Sequence, residues 1–245
     1  NGDQNDNSSP GTGSQFVGTG AVYAFVRQSG GWTQEAYLKP SNTDEDDTFG
    51  TALAMNIDGT RLAVGAPRED SAGTDANSNL EQDDTAPDAG AVYIYSYNSG
   101  AWSQDAYIKA SNTRRANQFG AALDLSADGG LMAVGAPVEN SNAVGVNGTE
   151  AQLMSAIDYR IGAAYVYRRD VTTGSWQQIS YVKATNSDQT AFGDGRQLSF
   201  GSDVAMSADG AELAIGGYGD SSDSSGIAGD AVNEDARDSG AVYVY

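Results

Sequence analysis

Carboxylates supply most of the chemistry this sequence could perform. It has 33 Asp and Glu against 13 Lys and Arg, with no His and no Cys. That removes the commonest general base, the thiol nucleophile and the usual zinc ligands. What remains is hard oxygen, and carboxylates gathered without imidazole or thiolate favour calcium over transition metals. The acids recur in register. Glu69-Asp70-Ser71, Glu139-Asn140-Ser141 and Asp220-Ser221 follow equivalent apolar segments. Asp88 and Asp238 stand two residues before a Gly-Ala step, with Asp84 and Asp235 close by. The expected ligands are therefore Glu69, Asp70, Asp84, Asp88, Glu139, Asp220, Asp235 and Asp238, and the expected ion is Ca2+. The middle copy has Arg160 at the position of Asp88 and Asp238, with Asp158 nearby, which makes it the poorest site.

Other chemistry finds little support. There is no Gly-x-Ser-x-Gly elbow, and a Ser or Cys triad lacks its histidine. Paired carboxylates can hydrolyse glycosides, but the sequence singles out no two acids at a working separation. No enzymatic activity is expected. A net charge of -20 repels a phosphate backbone, so nucleic acid is excluded as a partner. No apolar run is long enough to cross a bilayer and no basic amphipathic helix could lie on one, so no membrane insertion is expected. The chain starts at Asn1 rather than Met, and reads as part of something longer.

The elements that must hold these acids are written as a repeat. Gly-Ala steps start at 20, 90, 162 and 240, spaced by 70, 72 and 78 residues. Each is followed by alternating aromatic and β-branched residues, then by Trp32, Trp102 or Trp176. Next come Tyr37-Leu38-Lys39, Tyr107-Ile108-Lys109 or Tyr181-Val182-Lys183, and then Phe49-Gly50, Phe119-Gly120 or Phe200-Gly201. The first two units close on Val64-Gly65-Ala66-Pro67 and Val134-Gly135-Ala136-Pro137, the third on Ala214-Ile215-Gly216. The organisation read from this is a loop over 1–19, repeats over 20–89, 90–161 and 162–239, and the first strand of a further repeat over 240–245.

Period-two alternation bounded by Gly, Asn, Asp and Ser predicts four short strands per unit and no helix. In the middle of the chain these run from Phe119 to Leu125, Leu131 to Pro137, Gly90 to Tyr95 and Trp102 to Ala110. The first pair is joined by Asp58-Gly59, Asp128-Gly129 or Asp209-Gly210, steps that favour a tight hairpin. Recurring Tyr23, Tyr93 and Tyr243, with Trp32, Trp102 and Trp176, are expected to pack sheet against sheet. The glycines of Phe-Gly and Val-Gly-Ala-Pro are expected where backbones approach closely.

A tandem four-stranded antiparallel meander is the blade of a β-propeller. The Phe-Gly, Val-Gly-Ala-Pro and Gly-Ala-Val-Tyr elements together resemble the FG-GAP repeat, known from the head propeller of integrin α subunits and from long bacterial surface proteins. The resemblance implies an all-β propeller, an extracellular or cell-surface location and a structural or adhesive role. It also implies calcium, held in integrins by an Asp-x-Asp-x-Asp-Gly loop between first and second strands. Here those loops keep only the Asp-Gly step, so that site is not carried over. The long loops remain the calcium candidates, and they share a rim with the fourth-to-first strand connections. Twenty-four of the 33 acids fall in these connections or in residues 1–19, which predicts one strongly negative face.

Thirteen strands make about three blades and one extra strand, fewer than a closed propeller uses. The expected partners are therefore other copies of the chain or further repeats. The alternative is a carbohydrate- or protein-binding propeller module whose ligand sits on the loop face, or an ancillary domain of a secreted polysaccharide-degrading enzyme.

Overall fold

The computed structural model describes residues 18–76, 83–141, 143–148, 160–187, 197–227, 236 and 238–245. Among these are thirteen strands and no helix. They are β1 (Val22–Gln28), β2 (Gly31–Leu38), β3 (Ala52–Met55), β4 (Arg61–Ala66), β5 (Ala91–Asn98), β6 (Ala101–Ile108) and β7 (Ala122–Leu125). The chain continues through β8 (Leu131–Ala136), β9 (Ala163–Arg169), β10 (Trp176–Val182), β11 (Phe200–Met206), β12 (Leu213–Gly217) and β13 (Ala241–Val244).

All pairings between named strands are antiparallel and sequential. They build two four-stranded sheets, β3-β4-β5-β6 and β7-β8-β9-β10, flanked by the pair β1-β2 and the three-stranded sheet β11-β12-β13. The thirteen expected strands are present, grouped among the described residues as a pair, two four-stranded sheets and a three-stranded sheet. The chain enters at a third strand, so the sequence repeat runs two strands out of phase with the sheets. Each unit from one Gly-Ala step to the next gives its first half to one sheet and its second half to the next.

Side-chain alternation puts two different faces on each sheet. In β5, Tyr93 and Tyr95 project to one side, with Phe49, and meet Val22 and Leu38 of the preceding pair. Val92 and Ile94 project to the other side and meet Phe119, Tyr165 and Tyr167 of the following sheet. The contact recurs where Val182 and Ala164 meet Phe200 and Ile215, with Tyr243 and Tyr245 at its edge. An aromatic face therefore packs on an aliphatic one at each junction, and Phe49, Phe119 and Phe200 each stand edge-on to two tyrosines.

Glycine is required where the sheets come closest. A Cβ on Gly90 would lie 2.1 Å from the carbonyl oxygen of Phe119, and one on Gly65 would lie 2.0 Å from that of Gly120. Neither position has room for any side chain, which explains both motifs as packing devices. At the opposite rim the Asp-Gly turns hydrogen-bond to one another. Ile57 N–H donates to Ala127 O and Ala127 N–H donates to Ala208 O.

The expectation that every recurring Tyr and Trp is core needs correction. Tyr93 and Trp176 are buried, but Tyr23 and Trp32 are exposed. Both belong to β1-β2, which has no sheet on its aromatic side among the described residues.

Candidate functional site

The two classes of long connection do meet at one rim. Arg68 N–H donates to Asp47 O, Ala116 N–H to Pro87 O and Gln118 N–H to Asp88 O, which ties each fourth-to-first connection to a second-to-third loop. Hydrogen-bonded networks of similar composition are built here three times.

In the first, Glu69 is fully buried at the end of β4. Its Oε2 accepts from Lys109 Nζ at 2.7 Å and from Ser71 N–H and Oγ. Its Oε1 accepts from the Tyr107 hydroxyl at 2.7 Å and from Asn42 Nδ2 at 3.1 Å. In the second, Glu139 accepts from Lys183 Nζ at 2.6 Å, from the Tyr181 hydroxyl at 2.9 Å, from Asn112 Nδ2 and from Ser141. Ser71 and Ser141 also make short bonds with Tyr107 and Tyr181. The acid comes from the second strand's end and the lysine from the fourth strand's end. The asparagine comes from the preceding sheet's connection, so the network joins neighbouring sheets as well as strands. Desolvation lowers the pKa of both lysines against the pull of their glutamates. An ion pair this enclosed persists because every oxygen of the carboxylate has a donor.

In the third network the acid is Asp220, 1% exposed. Its Oδ2 accepts from Asn186 Nδ2 at 2.8 Å and from the Tyr243 hydroxyl at 2.7 Å, and its Oδ1 accepts from Ser222 N–H and Oγ. Burial alone would raise its pKa, but the bonds from Ser222, Tyr243 and Asn186 outweigh that and hold the carboxyl below the usual range.

Glu69, Glu139 and Asp220 therefore do not fit a hard cation, because N–H and O–H donors already occupy their oxygens. Glu69 and Glu139 neutralise buried lysines. Asp70 turns inward and its Oδ1 accepts from Asp88 N–H at 2.8 Å, a role that Ser221 Oγ plays for Asp238 N–H. Asp88 and Asp238 take left-handed backbone angles of 55° and 54°, which Asp tolerates better than most residues, and Asp88 also lies 3.9 Å from Arg68 Nε. Asp84 is exposed on the same loop, its pKa raised by slight desolvation and then by the charges of Asp44, Asp70 and Glu69. Asp235 lies outside the described residues. Among the described residues no three acids stand together in a way that could hold a metal ion.

One acid outside the expected set stands out. Asp47 is buried and its Oδ2 has no hydrogen-bond partner. Desolvation, then the charges of Glu69, Asp44 and Asp70, push its pKa up to about 7. In the next copy the equivalent Asn117 is also buried, and its amide lies 3.5 Å from Asn112 O. The Asp-Gly turns need no ion either. Asp58, Asp128 and Asp209 each accept from the chain two residues on.

Sequence reasoning missed the lysines. Lys39, Lys109 and Lys183 recur in a chain with few cations, and that recurrence was the available signal. The partners lie 40 and 44 residues apart, so no local pattern joins them.

Tandem antiparallel sheets with Phe-Gly and Gly-Ala steps at each junction define an all-β, propeller-type repeat. Residues 32–95, from β2 into β5, match the family described as the FG-GAP repeat. A search of curated proteins found no match.

Proposed function

We propose that this chain is a non-enzymatic, extracellular structural repeat segment whose end sheets stack on further FG-GAP sheets, supplied by other copies of the chain or by further repeats. The exposed end faces carry this reading. Val242 and Val244 of β13 are 70% and 71% exposed, whereas their counterparts Val92 and Ile94 in β5 are fully buried under the next sheet. At the other end Tyr23 and Phe25 are 55% and 53% exposed, whereas Tyr93 and Tyr95 are buried. One end offers the aliphatic half of the junction and the other the aromatic half. Apolar faces of this kind mark interaction surfaces, and two unlike, complementary ends give head-to-tail association.

The match of residues 32–95 to the FG-GAP repeat supports the extracellular part of this reading, since such repeats are typical of extracellular proteins. No helix among the described residues is long and apolar enough to cross a membrane. Calcium belongs in this reading near Asp47, whose buried oxygen lacks a donor and whose neighbours are acidic, and not at Glu69 or Glu139.

Sedimentation velocity over a concentration series tests the stacking. The wild-type chain is expected to associate progressively, and Val242→Lys with Val244→Lys is expected to abolish that. Association that is equally strong in the double variant contradicts the reading.

A further inference from the structure

The two lysine-bearing networks each bring an amine, a carboxamide and a proton carrier into contact. Glu69 has one oxygen on each reactant. Its Oε2 accepts from Lys109 Nζ at 2.7 Å, and its Oε1 accepts from Asn42 Nδ2 at 3.1 Å. The oxygen of the same carboxamide is held by the Tyr93 hydroxyl, which donates to Asn42 Oδ1 at 2.6 Å. Glu139 repeats this with Lys183 Nζ at 2.6 Å and Asn112 Nδ2 at 3.1 Å, and the Tyr165 hydroxyl donates to Asn112 Oδ1 at 2.6 Å.

Both lysines are poorly accommodated as cations. They are fully buried, and among the described residues each ammonium has one acceptor, its glutamate. An ammonium has three donors, and donors left unmatched in the interior penalise the charged form. Desolvation accordingly lowers the pKa of each lysine despite the opposing pull of its glutamate. A proton passed to the carboxylate leaves a neutral amine with a free electron pair, the form in which lysine is a nucleophile. Asn42 and Asn112 are only partly buried, so a small leaving group has a way out.

We propose that these networks react with themselves, joining Lys109 Nζ to Asn42 Cγ and Lys183 Nζ to Asn112 Cγ as amide cross-links with release of ammonia. Lys109 first gives a proton to Glu69 Oε2. Its electron pair then forms the Nζ–Cγ bond while the carbonyl electrons move onto Oδ1, where the Tyr93 hydroxyl stabilises the charge. Glu69 protonates Nδ2, the electrons return from Oδ1, and the Cγ–Nδ2 bond breaks to release ammonia. Glu69 takes the second proton from Nζ, so the site ends as neutral as it began. Nothing is oxidised or reduced, and no co-reactant is needed. An amide resists free amines in water, and fixed proximity supplies what activation otherwise would.

The positions of the reactants give the bonds a structural consequence. Asn42 precedes β3 and Lys109 follows β6, while Asn112 precedes β7 and Lys183 follows β10. Each bond therefore closes one four-stranded sheet into a ring, which constrains the unfolded chain as a disulfide does and shields the enclosed strands from a pull along the chain. Urea unfolding reads the ion pair alone in chains of full mass, and the ring as well in chains that have lost ammonia.

Intact-mass spectrometry of the denatured wild-type protein, followed by tryptic mapping, tests this. The mass is expected to fall short of the sequence mass by two ammonia molecules. Trypsin is expected to spare Lys109 and Lys183 and to release peptides joined from Asn42 to Lys109 and from Asn112 to Lys183. Lys183→Met is expected to lose one ammonia only. Asn112→Asp is expected to lose one ammonia and one water, because a carboxyl group forms the same bond by releasing water. Glu139→Gln, without its proton carrier, is expected to keep Lys183 free. Full sequence mass with tryptic cleavage after both lysines overturns the proposal. Loss of water from the wild type, with the lysines joined to Glu69 and Glu139, overturns it too. The wild-type measurement needs no variant, so it decides the matter even if a variant fails to fold.

Discussion

The complete sheet β7–β10 and the open sheet β11–β13 differ by one strand and one cation. Both carry a buried acid, an asparagine from the preceding sheet, a nearby serine, and a third-strand tyrosine that donates to the asparagine. Only the complete sheet has the lysine and its companion tyrosine, and its acid is the longer glutamate. In the open sheet the hydroxyl of Tyr243 lies 2.7 Å from both Asn186 Oδ1 and Asp220 Oδ2, so the shorter acid sits within the third-strand layer. The comparison separates two layers of the network. The acid, asparagine and tyrosine layer is present in both sheets, and among the described residues the ion pair is found only where the fourth strand is.

The largest expected effect comes from removing the cation where it exists. Lys183→Met leaves Glu139 buried without its counter-charge and should lower the free energy of unfolding by about 3–5 kcal/mol. Combining it with Glu139→Gln should restore much of that loss. Asp220→Asn, with no lysine to strand among the described residues, should cost only about 1 kcal/mol. Urea unfolding of the wild type and these three variants reads these differences directly. A Lys183→Met cost no larger than that of Asp220→Asn would mean the two sheets are not distinguished by the ion pair.

Glycine substitutions sharpen the comparison at the sheet junctions. Gly162 and Gly240 have similar left-handed angles, 84° and 77°. A Cβ on Gly162 would lie 1.9 Å from Phe200 O, whereas on Gly240 it would meet nothing nearer than Tyr218 O at 3.5 Å. Both alanine variants carry the left-handed penalty of about 1–2 kcal/mol. Only Gly162→Ala must also separate two sheets, at a further cost of at least about 1 kcal/mol. Thermal melts in dilute protein should therefore rank Gly240→Ala well above Gly162→Ala, and equal melting temperatures would contradict the close approach.

The smallest effect depends on pH and contrasts the connections 41–48 and 111–118. Asp47 has its folded pKa raised from 3.8 to about 7, so its ionised form opposes folding. Stability from this group is complete below about pH 4 and falls as pH rises toward 7, after which the loss is constant. Asp47→Asn, which copies Asn117, should add about 1–2 kcal/mol at pH 8 and nothing at pH 4. Excess calcium should recover part of that gain in the wild type and none in the variant. Melting curves at the two pH values, with calcium and with chelator, check both statements. A variant no more stable than wild type at pH 8 would show that Asp47 is relieved in some other way.

Much of the fold was legible because its signals are local. Alternation in Ala91–Tyr95 gives a strand, Asp128-Gly129 gives the hairpin between β7 and β8, and repetition of such elements gives a four-stranded meander. The phase of the blades was legible too, since the order of Phe-Gly, Val-Gly-Ala-Pro and Gly-Ala-Val-Tyr puts Gly90-Ala91 at a third strand's start, where β5 lies. The exposure of Tyr23 was not legible. A residue's burial depends on whether a neighbouring sheet exists, which the residue itself does not encode. At the rim, Glu69, Glu139 and Asp220 recur at one position of the repeat and were read as calcium ligands, but a carboxylate in a loop looks the same whether its partner is an ion or a lysine 40 residues away. Asp47 was obscured by Asp44, Glu45 and Asp46 beside it, which read as one solvated acidic run although only Asp47 turns inward.

Amide hydrogen exchange, resolved strand by strand in dilute protein, tests the central claim that β13, unlike β9, is paired on one side only among the described residues. Amides of β9, covered by β8 and β10, should exchange only with global unfolding. Those of β13 that point away from β12 should exchange at least about a hundredfold faster, while their neighbours bonded to β12 stay protected. Protection of every β13 amide at the level of β9 would show the edge already covered within the chain, and would contradict the account.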